Sequence, residues 1–348
     1  MFFVLSGFVI YRPFVAHRVL GAPHPGIVAY VRRRVLRIVP AYWLALTILA
    51  IYPGLGGVFT EDWWVYYGLL QLYPIYDASE CGRMVGGCGI APAVTLGGEL
   101  GFYLMIPAYA ALIGALTRGR LRSRWLLTVL LLGALALVSV VFRVWSAVHV
   151  PPLPYVFYGV PGTFLWLALG LGMAAATVAL EGREGASRPV RLIAAHPSAC
   201  WLVGIAIYLT LAIVYPAPIL ALFKTGRLQL VLEFLGVGLS AALIVITAVF
   251  GEGTGGLPRR ILANRVLSWL GVVSYGIYLY HVPFQVKLVD LDIPGLLPGA
   301  GPVTLPALSL VVATLCAAIS YYAFERPILK LKDPRRARSS PAPLPGKA

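Results

Sequence analysis

The sequence predicts an all-α bundle that crosses a lipid bilayer about nine times, and three observations carry this. Hydrophobic residues make up 59% of the 348 and charged residues only 12%, against ~25% charged in ordinary soluble domains. The mean hydropathy is +0.85. The apolar residues come in long continuous runs suited to helices through about 30 Å of hydrocarbon, not in the short alternating segments of a membrane barrel. The Lys and Arg residues are also distributed unevenly between alternate loops.

Taken in order, Phe2–Ile10 is apolar but is followed by Arg12 and Pro13, so residues 1–11 give only a partial span. Full spans follow at 38–55, 95–116, 125–142, 161–180, 199–216, 229–250, 265–284 and 303–324. On this layout Arg83, Arg143, Lys224, Arg227 and Lys287 fall on one side of the membrane, and every other Lys and Arg falls on the opposite side. Cytoplasmic loops carry the excess of basic residues, so the chain is expected in a bacterial cytoplasmic membrane with its C-terminus inside. The partial first span then runs from outside to inside. That direction calls for one more helix before it, and the sequence is expected to start at an internal Met. Residues 1–332 read as one membrane domain and 333–348 as a basic, Pro/Ser-rich tail at the membrane surface. The net charge of +15 is explained by this asymmetry, and nucleic acid is not an expected partner. The N-terminus has neither the basic region nor the cleavage site of a signal peptide.

The outer loop 56–94 is the longest. Trp63, Trp64, Tyr66 and Tyr67 suit an interfacial belt or a platform for sugar rings. Cys81 and Cys88 share its Gly-rich part and would form a small disulfide loop in an oxidising compartment; their spacing without a nearby His is a poor zinc pattern. Cys200 and Cys316 lie in apolar runs and read as inert thiols.

Ionisable groups inside spans are costly and mark candidate sites. Glu99 sits at the outer end of a span, with Tyr103 one helical turn away on the same face and Gly97 and Gly101 offering a small-residue step for a neighbouring helix. This carboxylate is either a structural hub or part of an active cavity. His281 ends a stripe of Gly271, Ser274 and Tyr278 that is expected to face the bundle interior, where it could act as a base or a donor. Arg33, Arg34 and Arg37 either anchor the chain on the cytoplasmic side or hold a phosphorylated ligand, for which guanidinium forks are well shaped. Glu325-Arg326-Pro327 closes the last span as an ionisable pair. His17, His24, His149 and His196 carry no local mark of function. No Walker A loop, dinucleotide fingerprint or His-Glu-x-x-His motif is present.

These pieces together resemble acyltransferase family 3, the integral membrane O-acyltransferases of bacterial polysaccharide and antibiotic modification. Phe2-Phe3-x-x-Ser6-Gly7-Phe8 is similar to its first element. Arg33, Arg34, Arg37, Ile38, Pro40 and Tyr42 match its Arg-Arg-x-x-Arg-Ile-x-Pro-x-Tyr. Thr95 to Tyr103 follows a third element, with Val94 and Thr95 in place of Trp and Ser. Gly271 to His281 and Glu325-Arg326-Pro327 complete the order. The resemblance implies ten transmembrane helices and transfer of an acyl group from a cytoplasmic donor such as acyl-CoA to a hydroxyl of a sugar or lipid-linked glycan. It implies Arg33, Arg34 and Arg37 at the donor phosphates, with Glu99, Tyr103 and His281 toward the outer face, and no metal or tightly bound cofactor. It also implies a catalytic His on a helix preceding residue 1, so the chain as written is expected to have reduced or no activity. A transporter or flippase, or an acyltransferase-like protein without catalysis, are the competing readings.

Overall fold

In hydrocarbon each backbone N–H and C=O must pair within the protein, which leaves the helix as the economical solution for long apolar segments. The computed structural model describes residues 1–73, 75, 88–116, 121–149, 159–181, 188–215, 227–250, 256–293 and 301–330. Among them the only extended pairing is an isolated bridge between Gly56 and Cys88. The rest of the ordered secondary structure is helical: α1 Phe2–Leu20, α2 Ile27–Ile51, α3 Trp63–Tyr67, α4 Val94–Leu116, α5 Leu121–His149, α6 Val160–Leu180, α7 Arg188–Ala195, α8 Pro197–Val214, α9 Arg227–Val249, α10 Leu257–Leu262, α11 Arg265–Asp290, α12 Gly301–Ser320 and α13 Arg326–Leu329. A π-helical turn, Tyr321–Glu325, joins the last two. Eight of the helical stretches in the described residues are long and apolar enough to cross a membrane. Large side chains such as Leu104, Leu202, Ile213, Leu310 and Ile319 are exposed on them, as lipid-facing residues would be.

The chain divides into two compact units. The first comprises Met1–Pro25, Gly68–Asp77 and Ala93–Ser268. Its centre is the crossing of α1 on α6, where a methyl group on Gly170 would stand 2.1 Å from the Val4 carbonyl oxygen and one on Gly7 would stand 2.8 Å from that of Leu167. Without side chains at these two points the backbones come within van der Waals contact, the usual source of helix adhesion in lipid. Val4, Met173, Ala241, Ala242 and Val245 fill the core where α9 joins this pair.

The second unit comprises Gly26–Tyr67, Ala78–Pro92 and Trp269–Ala348. Here α11 and α12 touch closely at Gly276 and Ala317, and the π-helical turn and α13 pack on α2. The aromatic loop is fastened to the C-terminal half of α2: Tyr42 Oη donates to the Tyr66 carbonyl at 2.7 Å, Trp43 Nε1 to that of Tyr67 at 2.9 Å, and Thr47 shares a hydrogen bond with Tyr67 Oη at 2.8 Å. The buried Tyr66 ring occupies the space that a side chain on Gly57 or Gly89 would fill, and both glycines have positive φ, 76° and 60°. Trp63 and Trp64 stay exposed. Cys88 is disulfide-bonded and Cys200 and Cys316 are free thiols; Cys81 and the tail 331–348 lie outside the described residues.

Three expectations are corrected. The partial span at 1–11 is the front of a 19-residue helix. Arg12 does not end it because it pairs with Glu181, and Arg18 donates to the Ala110 carbonyl, so both charges are compensated without leaving the helix. The helix stops instead at Gly21, in the left-handed conformation that ends helices readily. Arg143 is not in an outer loop: α5 runs on to His149 and carries this arginine buried inside the first unit. Finally, Gly271 and Ser274 do not face inward. They are exposed, while Val273, Gly276, Leu279, Tyr280 and Pro283 form the buried side of α11. Ser274 Oγ bonds the Gly271 carbonyl of its own helix at 2.8 Å, so it needs no partner in the interior.

Candidate functional site

In the first unit, Glu99 occupies the second turn of α4 and is fully buried, at 0% exposure. A buried carboxylate is tolerated only when hydrogen bonds replace its water. Ser6 Oγ of α1 donates to Oε1 at 2.5 Å, and Tyr103 Oη, one turn along α4, donates to Oε2 at 2.8 Å. The close approach that seats Glu99 comes from its neighbours: Gly101 faces Val160 at the start of α6, and Gly97 faces Leu69 and Leu72. Phe3 and Phe102, each one turn from the polar pair, meet edge to face with ring centroids 5.3 Å apart. Both hydroxyls donate to the carboxylate, so Glu99 acts here as an acceptor that can orient a hydroxyl.

Behind Phe3 lies a second polar element. Trp166 stacks on Phe3 at 6.0 Å and meets Phe234 at 4.9 Å with the rings tilted by 37°, and its indole N–H donates to the Phe234 carbonyl at 3.0 Å. The Arg143 guanidinium lies 4.4 Å from the Phe234 ring centre and 5.8 Å from that of Trp166, and its Nε donates to the Gly162 carbonyl at 3.0 Å. Aromatic faces carry partial negative charge and stabilise a desolvated cation, which accounts for an arginine being buried at this depth.

In the second unit, His281 is half-buried on α11. Its Nδ1 is 2.9 Å from the Tyr278 carbonyl oxygen and 3.2 Å from that of Ile277. Carbonyls only accept, so Nδ1 is the donor in this contact. The His281 carbonyl accepts from Ser309 Oγ of α12 at 2.9 Å, and Tyr278 Oη donates to the Pro92 carbonyl. Arg33, Arg34 and Arg37 occupy the N-terminal half of α2, inside the helix and not ahead of it. Arg34 lies 5.8 Å from the Tyr30 ring centre. Arg37 is exposed.

The family model described as an acyltransferase domain matches residues 1–323, nearly the whole chain. The chain belongs to acyltransferase family 3. One curated relative is the exopolysaccharide production protein ExoZ of Rhizobium meliloti (strain 1021), 28% identical over 351 residues, covering 100% of this chain and 93% of the relative. No solved structure gives a significant match. Within this acyltransferase, Glu99 and Tyr103 are brought together and joined by Ser6, whereas His281 and the three arginines belong to the other unit. Ser6 was visible in the Phe-Phe-x-x-Ser-Gly-Phe element but carries no charge to draw notice. Arg143 was masked by its place at the apparent edge of an apolar run.

Proposed function

We propose that the chain is a membrane O-acyltransferase that moves an acyl group from a cytoplasmic acyl-CoA to a hydroxyl of a sugar or lipid-linked glycan at the outer face of a bacterial cytoplasmic membrane. The observation that carries this reading is the buried Glu99 carboxylate gripping the hydroxyls of Ser6 and Tyr103. Such a group recognises hydroxyl donors, and an acceptor hydroxyl can take the place of one of its internal partners. Membership of the acyltransferase family and an exopolysaccharide production relative support the same substrate class. In the reaction the thioester C–S bond breaks as an ester C–O bond forms, and the hydroxyl proton passes to the departing thiolate. Glu99 holds and polarises the hydroxyl, and Tyr103 holds the carboxylate. Arg33, Arg34 and Arg37 receive the phosphates of the donor, for which paired guanidinium forks are suited.

The test is transfer of label from acetyl-CoA carrying a radioactive acetyl group to the glycan fraction of membranes containing this chain. Labelled glycan that requires the chain supports the reading. Unlabelled glycan from well-folded protein, supplied with acceptor from its native host, overturns it in favour of transport or a non-catalytic role.

A further inference from the structure

Ser6 makes contacts that suit a nucleophile better than a structural serine. A serine inside a helix commonly gives its proton to a carbonyl of the preceding turn, as Ser274 does with Gly271. Ser240 and Ser309 reach other helices, but they too meet backbone carbonyls, those of Gly204 and His281. A carbonyl holds such a proton and does not take it away. Ser6 donates from α1 to the Glu99 carboxylate of α4 at 2.5 Å, the length expected when a hydroxyl meets an ionised carboxylate. The second carboxylate oxygen accepts from Tyr103 Oη at 2.8 Å. A hydroxyl in reach of a proton acceptor, which a third group orients, is the arrangement that activates serine nucleophiles. Glu99 is sealed at 0% exposure, whereas Ser6 is only partly buried. The carboxylate is thus kept from water while the hydroxyl can be reached. Gly7, the next residue, lies against the Leu167 carbonyl with no room for a side chain, and Phe3, three residues earlier, packs on Phe102 of α4. These contacts fix the rotation of α1 that aims Ser6 at Glu99.

We infer that Ser6 is the nucleophile of a two-step transfer, with Glu99 as its base and an acyl-serine as the intermediate. This rests on the proposed reading of the chain as an acyltransferase. In the first step Ser6 Oγ attacks the carbonyl carbon of the acyl thioester. The Oγ–C bond forms, the C–S bond breaks, and the hydroxyl proton passes through Glu99 to the departing thiolate. The acylated serine has no proton to donate, so Oε1 can accept one from a hydroxyl of the acceptor. In the second step that hydroxyl attacks the acyl-serine carbonyl carbon. The product ester forms as the Oγ–C bond breaks, and the proton returns through Glu99 to Ser6 Oγ. The donor can leave before the acceptor arrives, so a cytoplasmic thioester and an outer-face hydroxyl need not occupy the site together.

The experiment uses the full chain in nanodiscs. Without acceptor, it receives acetyl-CoA and radiolabelled coenzyme A, and label entering acetyl-CoA is followed. A covalent intermediate permits this exchange, and direct transfer does not. A parallel sample given acetyl-CoA labelled in the acetyl group is quenched in acid and its peptides are mapped. Wild type is expected to exchange and to carry the acetyl group on Ser6, and added acceptor is expected to remove it. Ser6→Ala and Glu99→Gln are each expected to lower exchange and glycan acetylation by about 10²-fold or more. The double variant should fall no further, since residues acting as a unit do not add. If Ser6→Ala folds poorly, the wild-type exchange and the peptide map decide alone. Glycan acetylation without exchange, or at the wild-type rate in Ser6→Ala, overturns the inference and leaves the acyltransferase reading standing. Exchange with no acetyl group on Ser6 overturns it too. Wild type that neither exchanges nor acetylates glycan removes that reading, and the inference goes with it.

Discussion

At Glu99 the cost of burying a carboxylate decides which neighbours the chain must supply. An unpaired charge at this position would cost several kcal/mol, and Ser6 and Tyr103 offset it from two helices. Replacing Glu99 by Gln keeps the shape but puts an N–H₂ where one hydroxyl now donates. The expected outcome is a loss of acyl transfer of about 10²-fold or more, the scale of a positioned proton-handling group, with thermal unfolding of the solubilised protein little changed. Transfer at the wild-type rate would assign Glu99 to structure alone. Tyr103→Phe removes a hydroxyl partner of Glu99 and is expected to lower turnover by roughly tenfold, measured in the same labelled-acetyl assay; an unaltered rate would mean that Oε2 has other support sufficient for the chemistry. At this scale Glu99, Tyr103 and the i, i+4 relation between them were legible in the sequence, because a charge in an apolar run is conspicuous. Ser6 was not, since its link to Glu99 joins residues far apart in the chain.

At the scale of the helix, hydropathy reads the lipid slab while hydrogen bonding and caps set the length. For that reason α1, α2 and α5 run past their apolar limits, and Arg12, Arg37 and Arg143 lie within helices. The opposite discrepancy appears in α11. This helix is 26 residues long, about 39 Å at 1.5 Å per residue, so it can cross the bilayer. Ser268, Ser274, three tyrosines, His281 and Gln285 dilute its hydropathy, and it is not among the eight helices apolar enough to cross a membrane. On the proposed topology the alternation of basic loops calls for a crossing between Arg265 and Asp290. Single cysteines in place of Arg260 and Asp290, in a background with Cys200 and Cys316 changed to Ser, test this with an impermeant maleimide. Asp290→Cys is expected to label in intact cells and Arg260→Cys only after permeabilisation. Labelling of both from the same side would make α11 a re-entrant or surface helix.

For the whole molecule, the charge asymmetry and the proposed chemistry make one joint demand. Acyl-CoA is polyanionic and does not cross a bilayer unaided, so the donor must be met on the side where the arginines lie. Basic residues collect on the cytoplasmic side because translocating them is unfavourable. On the proposed orientation Arg33, Arg34 and Arg37, all on α2, would stand where both arguments place the donor, and Glu61 with the exposed Trp63 and Trp64 would stand on the opposite side. Sealed vesicles separate the two faces. Inside-out vesicles given labelled acetyl-CoA are expected to acylate glycan without permeabilisation, and right-side-out vesicles only after it. A maleimide acting on Glu61→Cys in the same preparations reports their orientation independently, reacting readily only in the right-side-out population. If right-side-out vesicles took up label while sealed, the donor would be entering from the outer face. The arginines of α2 would then be topological anchors only, and the phosphate-binding role would have to pass to another part of the chain.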